Sequence, residues 1–404
     1  MILLAAALVL AGGTVIGEKT DIPNAVVVIR GNRIESVGTQ KLTALPRDAK
    51  IIDVTGKYIV AGLNDVFAGL NSQSQANAYL YMGVTSIVGS DEPGGRRGAL
   101  LTTAKPSPRI YPLALANRPE DVDRAAKKGA KVLLLYYHMK PGDAPAMVKH
   151  AHALGLATIG ELGETTYTQA IDAGIDAFVH CSRYALELGS PEIRKGIAEK
   201  PFGPSRTAFY EYLAKLDPDS TAVSSWAKQL AASRVHLIPT LSLYYFALPN
   251  HENPWKEPIA SILDPKGIHL PVDRVTGAAP PAEGVPDGLS ENLLRIEKRN
   301  AEAGAHYLAG SGTSAFGTMP GISLHNELRM LTDLGLTPRQ AIAAATSSVG
   351  EAFHWPAAGR VARGYDADLV VVDEDPTHDI RNLKKIHMVI HDGEIVDRAA
   401  LLKK

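Results

Sequence analysis

The chain lacks several features that mark common classes of protein. Cys181 is its one cysteine among 404 residues, which excludes an internal disulfide framework. Its 42 lysines and arginines nearly balance 43 aspartates and glutamates, for a formal net charge of −1, so no charged field attracts nucleic acid or an anionic membrane. No apolar run approaches the roughly 18 residues of a membrane span. We therefore expect neither nucleic acid nor membrane as partner and predict a small-molecule ligand or substrate; a homo-oligomer is left open.

The N-terminus poses a separate question, because residues 2–10 form an apolar run as long as the hydrophobic region of a signal peptide. No basic residue precedes this run, whereas a signal peptide normally begins with positive charge. The run also continues through residues 12–16 into a predicted strand. We therefore predict a strand of the mature protein and a cytoplasmic location. The alternative is a signal remnant, with a secreted or periplasmic location.

Both ends of the chain carry β-sheet patterns. Residues 23–60 alternate β-branched stretches with turn residues, and the pattern returns in residues 367–373 and 386–397. Two terminal segments of this kind, flanking a long middle, predict one discontinuous β-sandwich domain. We assign residues 1–60 and 358–404 to it.

The middle of the chain, residues 61–357, alternates short apolar strands with amphipathic helices, which is the pattern of βα units and a parallel sheet. The eight predicted strands are Ile59–Val66, Val84–Val88, Arg109–Leu115, Val132–Tyr137, Ala157–Leu162, Ala177–Cys181, His236–Leu241 and His306–Gly310. They predict an α/β fold, a TIM-like (β/α)8 barrel with reactive groups at the C-terminal strand ends. The Pro/Gly-rich stretch Leu248–Gly288 predicts a lid or binding loop, with an ordinary surface insertion as the alternative.

Several ordered motifs resemble those of one family. They are residues 359–373 (GRVARGYDADLVVVD), 391–396 (HDGEIV), 320–328 (PGISLHNEL) and 335–346 (GLTPRQAIAAAT). Residues 61–69 (AGLNDVFAG) keep the frame of a further motif, Pro-Gly-Phe-Ile-Asp-Val-His-Val-His. This set is similar to the amidohydrolase superfamily, in its imidazolonepropionase and Xaa-Pro dipeptidase-like branch. The resemblance implies a (β/α)8 barrel and hydrolysis of carbon–nitrogen bonds with one or two metal ions, and it implies that Asp65 is structural.

The resemblance also implies six metal-ligand positions, and most of them are replaced in this sequence. Five replaced positions carry Phe67, Gly69, Leu134, Gly160 and Ser314, and the sixth keeps His180. A catalytic zinc takes three protein ligands and one open water position, which His180 alone does not provide. We therefore expect a degenerate, metal-free site and no cofactor.

The predicted strand ends still carry polar side chains. His180 is the one inherited ionisable group, and Glu161 lies at the end of the preceding predicted strand, so we predict this pair as catalytic acid/base groups. The alternative for His180 is a relic held by hydrogen bonds. The predicted substrate-binding residues are Tyr136, His138, Arg183, Tyr184, Tyr244 and Ser314, with ordinary loop residues as the alternative for each. We assign no metal to His150 and His152, because residues two apart on a helix point to different sides, and no nucleophile role to Cys181.

Two functional hypotheses remain at this point. The first is a metal-independent hydrolase of an amide-type carbon–nitrogen bond that uses His180 and Glu161. The second is a catalytically silent pseudoenzyme that binds a small molecule or a partner through the altered barrel mouth. A fold alone does not decide between them. The discriminating observation is whether His180 and Glu161 face one cavity.

Overall fold

The structure, a computed structural model, describes residues 7–41, 43, 45–90 and 105–403. Its strands, in chain order, are β1 (Leu8–Val15), β2 (Ile22–Arg30), β3 (Arg33–Thr39), β4 (Lys50–Asp53), β5 (Tyr58–Ala61), β6 (Leu63–Gly69), β7 (Val84–Ser90), β8 (Arg109–Ala116), β9 (Val132–Leu135), β10 (Ala157–Gly160), β11 (Ala177–Val179), β12 (His236–Ile238), β13 (His306–Tyr307), β14 (Leu369–Val372), β15 (Ile386–His391) and β16 (Glu394–Ile395). These strands form two sheets, one from the chain ends and one from the middle.

The terminal sheet joins both ends of the chain. Its order is β16-β15-β14-β5-β1-β2-β3, with β4 beside the first half of β1. The junction is the antiparallel pair of β5 and β14, in which Ala61 lies opposite Leu369. Leu369 and Val371 pack on the face of β14 where the other terminal strands form their own core. Val370 and Val372 pack on the opposite face, against the barrel layer. This two-sided burial explains why the strand is a continuous apolar run.

The second sheet is the predicted TIM-like barrel. Strands β6 to β13 are parallel and lie side by side in chain order. The N–H of Val66 donates to the carbonyl of Ala309 (3.0 Å), and the N–H of Gly312 donates to that of Phe67 (2.9 Å), which brings the last strand beside the first. Alternate strand residues, such as Leu134, fill the interior with apolar side chains, as in other barrels of this kind.

Helices surround the barrel. The α-helices are α1 (Gln73–Tyr81), α2 (Pro119–Lys127), α3 (Ala144–Ala153), α4 (Tyr167–Asp172), α5 (Cys181–Tyr184), α6 (Pro191–Glu199), α7 (Pro204–Lys215), α8 (Thr221–Ala232), α9 (Ser242–Tyr245), α10 (Leu289–Ala303), α11 (Ile322–Asp333), α12 (Pro338–Ala344), α13 (Ser347–Ala352) and α14 (Arg398–Leu401). Short 3₁₀ helices cover Ala185–Leu188, Pro254–Lys256, Pro258–Ile262, Pro265–Gly267 and Ile380–Lys384. No helix in the described part of the chain is both long and apolar enough to span a membrane.

The first predicted barrel strand needs a correction. Residues 59–61 belong to β5 of the terminal sheet, and the barrel strand begins at Leu63. Gly62 lies between them, and a Cβ there would overlap Oγ1 of Thr85, so only glycine fits where the chain passes from one sheet to the other. At the N-terminus, residues 1–6 of the apolar run lie outside the described residues, and residues 8–10 belong to β1.

Candidate active site

A cavity of about 210 Å³ lies at the C-terminal ends of the barrel strands. We call it the barrel-mouth cavity. Its polar lining consists of Tyr136, Glu161, His180, Ser182, Arg183, Arg206, Tyr210, Tyr244 and Ser290. Its apolar lining includes Phe67, Phe202, Leu243, Phe246, Leu270, Val285 and Phe316. The volume exceeds the roughly 150 Å³ of an apolar cavity that binds benzene, so a small organic molecule fits.

His180 lies directly after β11 in a backbone conformation that few non-glycine residues adopt, with φ of 65°. Residues held this way concentrate at functional sites. Its Nδ1 lies 2.8 Å from Oγ1 of Thr240, and that hydroxyl donates to the carbonyl of Pro239. The hydroxyl therefore accepts from Nδ1–H, which leaves the lone pair on Nε2.

Burial keeps the His180 ring neutral. Loss of hydration lowers the pKa of His180 to about 4, and the neighbouring Glu161 carboxylate opposes this effect only in part. The ring of Phe67 packs edge-to-face against the imidazole, with 5.0 Å between ring centroids. At pH 7 the imidazole therefore offers Nε2 as a hydrogen-bond acceptor or proton acceptor.

Glu161 follows β10 and lies beside His180. Its Oε2 is 4.0 Å from Nε2 of His180. Its Oε1 accepts a hydrogen bond from the hydroxyl of Tyr137 at 2.6 Å and lies 3.3 Å from Nε of Arg183. The carboxylate is buried, so these two partners compensate a charge that would be costly alone.

Two arginines contribute positive charge to the same cavity. The guanidinium of Arg183 lies 5.9 Å from the ring centre of Tyr137 and 5.7 Å from that of Tyr210. Its Nη1 is buried and has no hydrogen-bond partner among the described residues. The guanidinium of Arg206 lies over Phe202, 4.2 Å from the ring centre. Burial and the like charge of Arg183 lower the pKa of Arg206.

The structure brings three of the predicted substrate-binding residues to the cavity. Tyr136, Arg183 and Tyr244 line it, and the hydroxyl of Tyr244 donates to Oγ of Ser182 at 2.7 Å. The alternation of side chains along a strand accounts for Tyr136, which lies two residues beyond the inward-facing Leu134.

Three other predicted residues lie elsewhere. His138 is exposed, with Nδ1 3.3 Å from Glu164. Tyr184 is fully buried away from the cavity, where its hydroxyl donates to Glu297 at 2.8 Å. Ser314 accepts a hydrogen bond from Gln75 at 3.4 Å. Arg183 and Tyr184 are neighbours on the one-turn helix α5, where successive side chains point about 100° apart. Arg183 therefore faces the cavity, whereas Tyr184 faces away from it.

Several cavity residues were not predicted from the sequence. Arg206 and Tyr210 lie four residues apart on α7, so they share one helix face, and Phe202 lies just before that helix. Ser182 also lines the cavity. The i,i+4 spacing was a usable signal, but nothing in the sequence says which face of α7 turns toward the barrel. The stretch Leu248–Gly288 does reach the cavity, through Leu270, Val285 and neighbours.

The metal positions on the first and fourth barrel strands do not suit metal ligands. Phe67 and Leu134 pack with the apolar interior of the barrel. A Cβ on Gly69 would lie 2.8 Å from the carbonyl oxygen of Thr313, so no side chain fits there unless the backbone moves. The residues at these three positions therefore provide no donor atoms toward a shared metal.

The predicted fifth-strand position needs a correction. A Cβ on Gly160 would lie 2.9 Å from Cδ1 of Ile175 and 3.1 Å from that of Phe178, residues of the layer between barrel and helices. Gly160 thus faces outward, whereas Ile159 faces the interior. The inward position at this strand end belongs to Glu161, in keeping with the two-residue period of a strand.

A catalytic zinc needs three protein ligands, and the barrel mouth does not fit that need within the described ranges. His180 and Glu161 supply two donor groups. The one group of three suitable side chains found in the described residues, Asp368, His391 and Asp392, lies elsewhere. There Arg109 of β8 pairs with Asp368 (2.7 Å) and with Asp392, so a cation already occupies the centre of that group.

His150, His152 and Cys181 lie in separate places. Nε2 of His150 is 2.9 Å from Asp123, whereas Nε2 of His152 is 3.0 Å from Asp176, so the two rings do not share a ligand site. Cys181 is buried, and loss of hydration raises the pKa of its thiol far above the usual value. Such a thiol is a poor nucleophile.

Comparison with known proteins places the chain in one family. The sequence model of the amidohydrolase family matches residues 137–396. Among solved structures, a Xaa-Pro dipeptidase with bound methionine matches with a TM-score of 0.63 at 15% identity, covering 96% of this chain and 99% of that one. Phenylurea hydrolase B matches with a TM-score of 0.64 at 16% identity, covering 98% of this chain and 97% of that one. Molinate hydrolase matches with a TM-score of 0.62 at 15% identity, covering 99% of this chain and 96% of that one. No curated protein matches the chain. At these identities the structural likeness shows the fold alone.

Proposed function

Given that this chain belongs to the amidohydrolase family, we propose that it hydrolyses an amide-type carbon–nitrogen bond with His180 and Glu161 in place of a metal. One observation carries the proposal. Nε2 of His180 and Oε2 of Glu161 lie 4.0 Å apart, and both residues line the barrel-mouth cavity. The hydrolase names of the structural neighbours, a dipeptidase and a phenylurea hydrolase, agree with this reaction class.

The first step is the attack of water. A water molecule at the usual hydrogen-bond length of about 2.8 Å from both Nε2 and Oε2 spans their separation and donates one hydrogen to each. As its oxygen bonds to the substrate carbonyl carbon, His180 takes a proton on Nε2 as general base. The carbonyl oxygen gains the negative charge, and the Arg183 cation beside Glu161 supplies opposite charge in a site of low dielectric.

The second step breaks the carbon–nitrogen bond. The His180 imidazolium gives its proton to the leaving nitrogen, the bond breaks, and an acid and an amine are released. The pKa of about 4 makes His180 a weak base but a strong acid, so the ring returns its proton readily. Thr240 holds the ring orientation throughout by accepting from Nδ1–H.

Metal independence is part of the proposal. Its support is the donor set: Phe67 and Leu134 are apolar, and Gly69 has no room for a side chain. We expect purified protein to contain no stoichiometric zinc, iron or manganese by elemental analysis. Added zinc or manganese leaves hydrolysis unchanged, and so does a chelator. One tightly bound metal per chain, or a rate that collapses with chelator, contradicts this part.

A second candidate function is binding without catalysis. The observation that favours it is the state of Glu161, whose Oε1 is already held by Tyr137 and Arg183. A carboxylate fixed in this way also serves a purely structural role. In that case a ligand occupies the cavity and no turnover occurs.

The deciding experiment is a broad amidase and esterase screen of wild type beside His180→Ala and Glu161→Gln. A positioned acid or base contributes about 10²- to 10⁴-fold, so His180→Ala lowers kcat by that amount on any substrate found. His138→Ala is the matched control, because His138 is an exposed histidine outside the cavity, and it retains full activity. Activity that survives both cavity substitutions contradicts the hydrolase proposal, and the absence of any turnover favours binding alone.

A further inference from the structure

The charges around the barrel-mouth cavity do not balance. The described lining residues of the Asp, Glu, His, Lys and Arg types are Glu161, His180, Arg183 and Arg206. His180 is neutral at pH 7 because its pKa lies at about 4. Two guanidinium cations therefore face one carboxylate, an excess of one positive charge. The rest of the lining is mostly aliphatic and aromatic, so little in the cavity wall offsets that charge.

The two arginines are not equivalent. Arg183 lies 3.3 Å from the Glu161 carboxylate, so its charge is largely compensated. Arg206, by contrast, has no carboxylate within 4.0 Å among the residues the structure describes. Its Nε donates to the carbonyl of Pro201 at 3.4 Å, and its guanidinium stacks on Phe202. The excess positive charge thus belongs to Arg206, in the segment between β11 and β12.

The apolar part of the lining, which we call the apolar wall, suits an apolar group. Phe246, Leu270, Val285 and Phe316 come from the stretches that follow β12 and β13 and line the same cavity. Binding sites of this type use apolar walls for affinity and a few polar groups for orientation. A cavity with one spare guanidinium and this apolar wall is complementary to a small apolar molecule that carries one negative charge.

We propose that Arg206 is a specificity-determining residue that binds a carboxylate on the ligand, while the apolar wall holds an aliphatic or aromatic group of the same molecule. A guanidinium pairs with a carboxylate through two parallel hydrogen bonds, and a monoanion matches the single excess charge. Under the proposed function, on which this assignment of a substrate class rests, the substrate is an amide with an apolar group and a free carboxylate. Arg206 then contributes to KM more than to kcat.

The test uses two ligands without a carbon–nitrogen bond, so hydrolysis plays no part in it. 4-Phenylbutanoate and 4-phenyl-1-butanol share an apolar group and differ in the carboxylate. Calorimetric titration of wild type should show the carboxylate binding at least tenfold more tightly than the alcohol. That preference should shrink as salt rises from 50 to 500 mM, because screening weakens an ion pair that is partly exposed.

Variants assign the preference to one residue. Arg206→Gln should reduce it to less than threefold while the affinity for the alcohol changes little. Arg206→Lys keeps the charge and should retain most of the preference. Arg295→Gln, an exposed arginine of α10, is the matched control and should bind both ligands like wild type.

Two results would overturn the inference: equal affinity of wild type for the two ligands, or an unchanged preference in Arg206→Gln. Should Arg206→Gln bind neither ligand, Arg206→Lys decides, since loss of the preference in a variant that still binds the alcohol counts against the proposal. A carboxylate preference without turnover of any amide leaves this inference standing and refutes the hydrolase proposal. Turnover of neutral amides without a carboxylate preference supports the hydrolase proposal and refutes this inference.

Discussion

Two regions of the barrel that hold buried carboxyl groups differ in the surroundings of those groups. At the mouth, Glu161 has an arginine and a tyrosine hydroxyl as partners. Where the first and last strands meet, Asp65 accepts from the N–H of Ser311 (2.8 Å) and Glu327 from that of Ser242 (2.7 Å). Neither carboxyl group forms an ion pair with a residue that the structure describes. Oδ2 of Asp65 and Oε1 of Glu327 have no partner among the described residues.

The pKa values of Asp65 and Glu327 reflect their burial. Burial raises the pKa of Asp65 to about 7 and that of Glu327 to about 8. A carboxyl group buried without a cation favours its neutral form, whereas one beside a guanidinium can remain ionised. The comparison suggests which region is arranged for charged chemistry and which for holding strands together, and three predictions test it.

The largest effect is expected when the compensating cation at the mouth is removed. Arg183→Met leaves Glu161 buried without its ion-pair partner, and breaking a buried pair from one side typically costs about 3–5 kcal/mol of folding free energy. The double variant Arg183→Met/Glu161→Gln should recover most of that loss. Urea unfolding measures both. Arg299→Met breaks an exposed pair with Asp219 and should change stability little. A single variant as stable as wild type would show that Glu161 needs no cation.

A smaller effect is expected where the first strand meets the segment after the last one. Gly69→Ala places a Cβ 2.8 Å from the carbonyl oxygen of Thr313, and overpacking of this kind costs about 1–3 kcal/mol. Gly142→Ala is the matched control, because no atom lies within 4 Å of its Cβ position. Thermal unfolding compares them. Equal Tm values for the two variants would mean that this junction adjusts freely.

The smallest effect is the change in the free energy of unfolding per unit of pH that the carboxyl groups without a cation cause. Asp65 and Glu327 titrate near pH 7 and 8 when folded, against 3.8 and 4.5 for the free groups. Between these pH values the folded protein holds protons that the unfolded chain releases. The contribution of the two protonated groups to the free energy of unfolding is therefore complete below about pH 4 and is lost as the pH rises through 7 and 8.

Between about pH 5 and 7, each of these two groups lowers the free energy of unfolding by ~1.4 kcal/mol per pH unit. Asp65→Asn and Glu327→Gln should each remove one such contribution from the measured slope. Glu291→Gln, at an exposed position of α10, provides the control. A slope that neither buried substitution alters would indicate that both carboxyl groups are ionised in the folded protein.

Much of the fold followed from patterns along the chain. Each of the eight predicted barrel strands overlaps an observed one, because each is a short apolar run bounded by turn or helix patterns. The error at residues 59–61 arose because β5 and β6 are separated by one glycine, and a run of apolar residues does not reveal a change of sheet. His180 and Glu161 were found as a pair because strand ends in a barrel converge on one face.

The sequence by itself determined the family, the order of the strands and the two acid/base candidates, because these depend on short-range periodicity and on motifs along the chain. Tertiary structure decided which neighbours of those candidates reach the cavity. The orientation of α5 places Arg183 in the cavity and Tyr184 against Glu297. Gly160 lies on the outward face of β10. The packing of α7 against the barrel places Arg206 in the cavity lining. These outcomes depend on contacts between segments far apart in the chain, which no local pattern records.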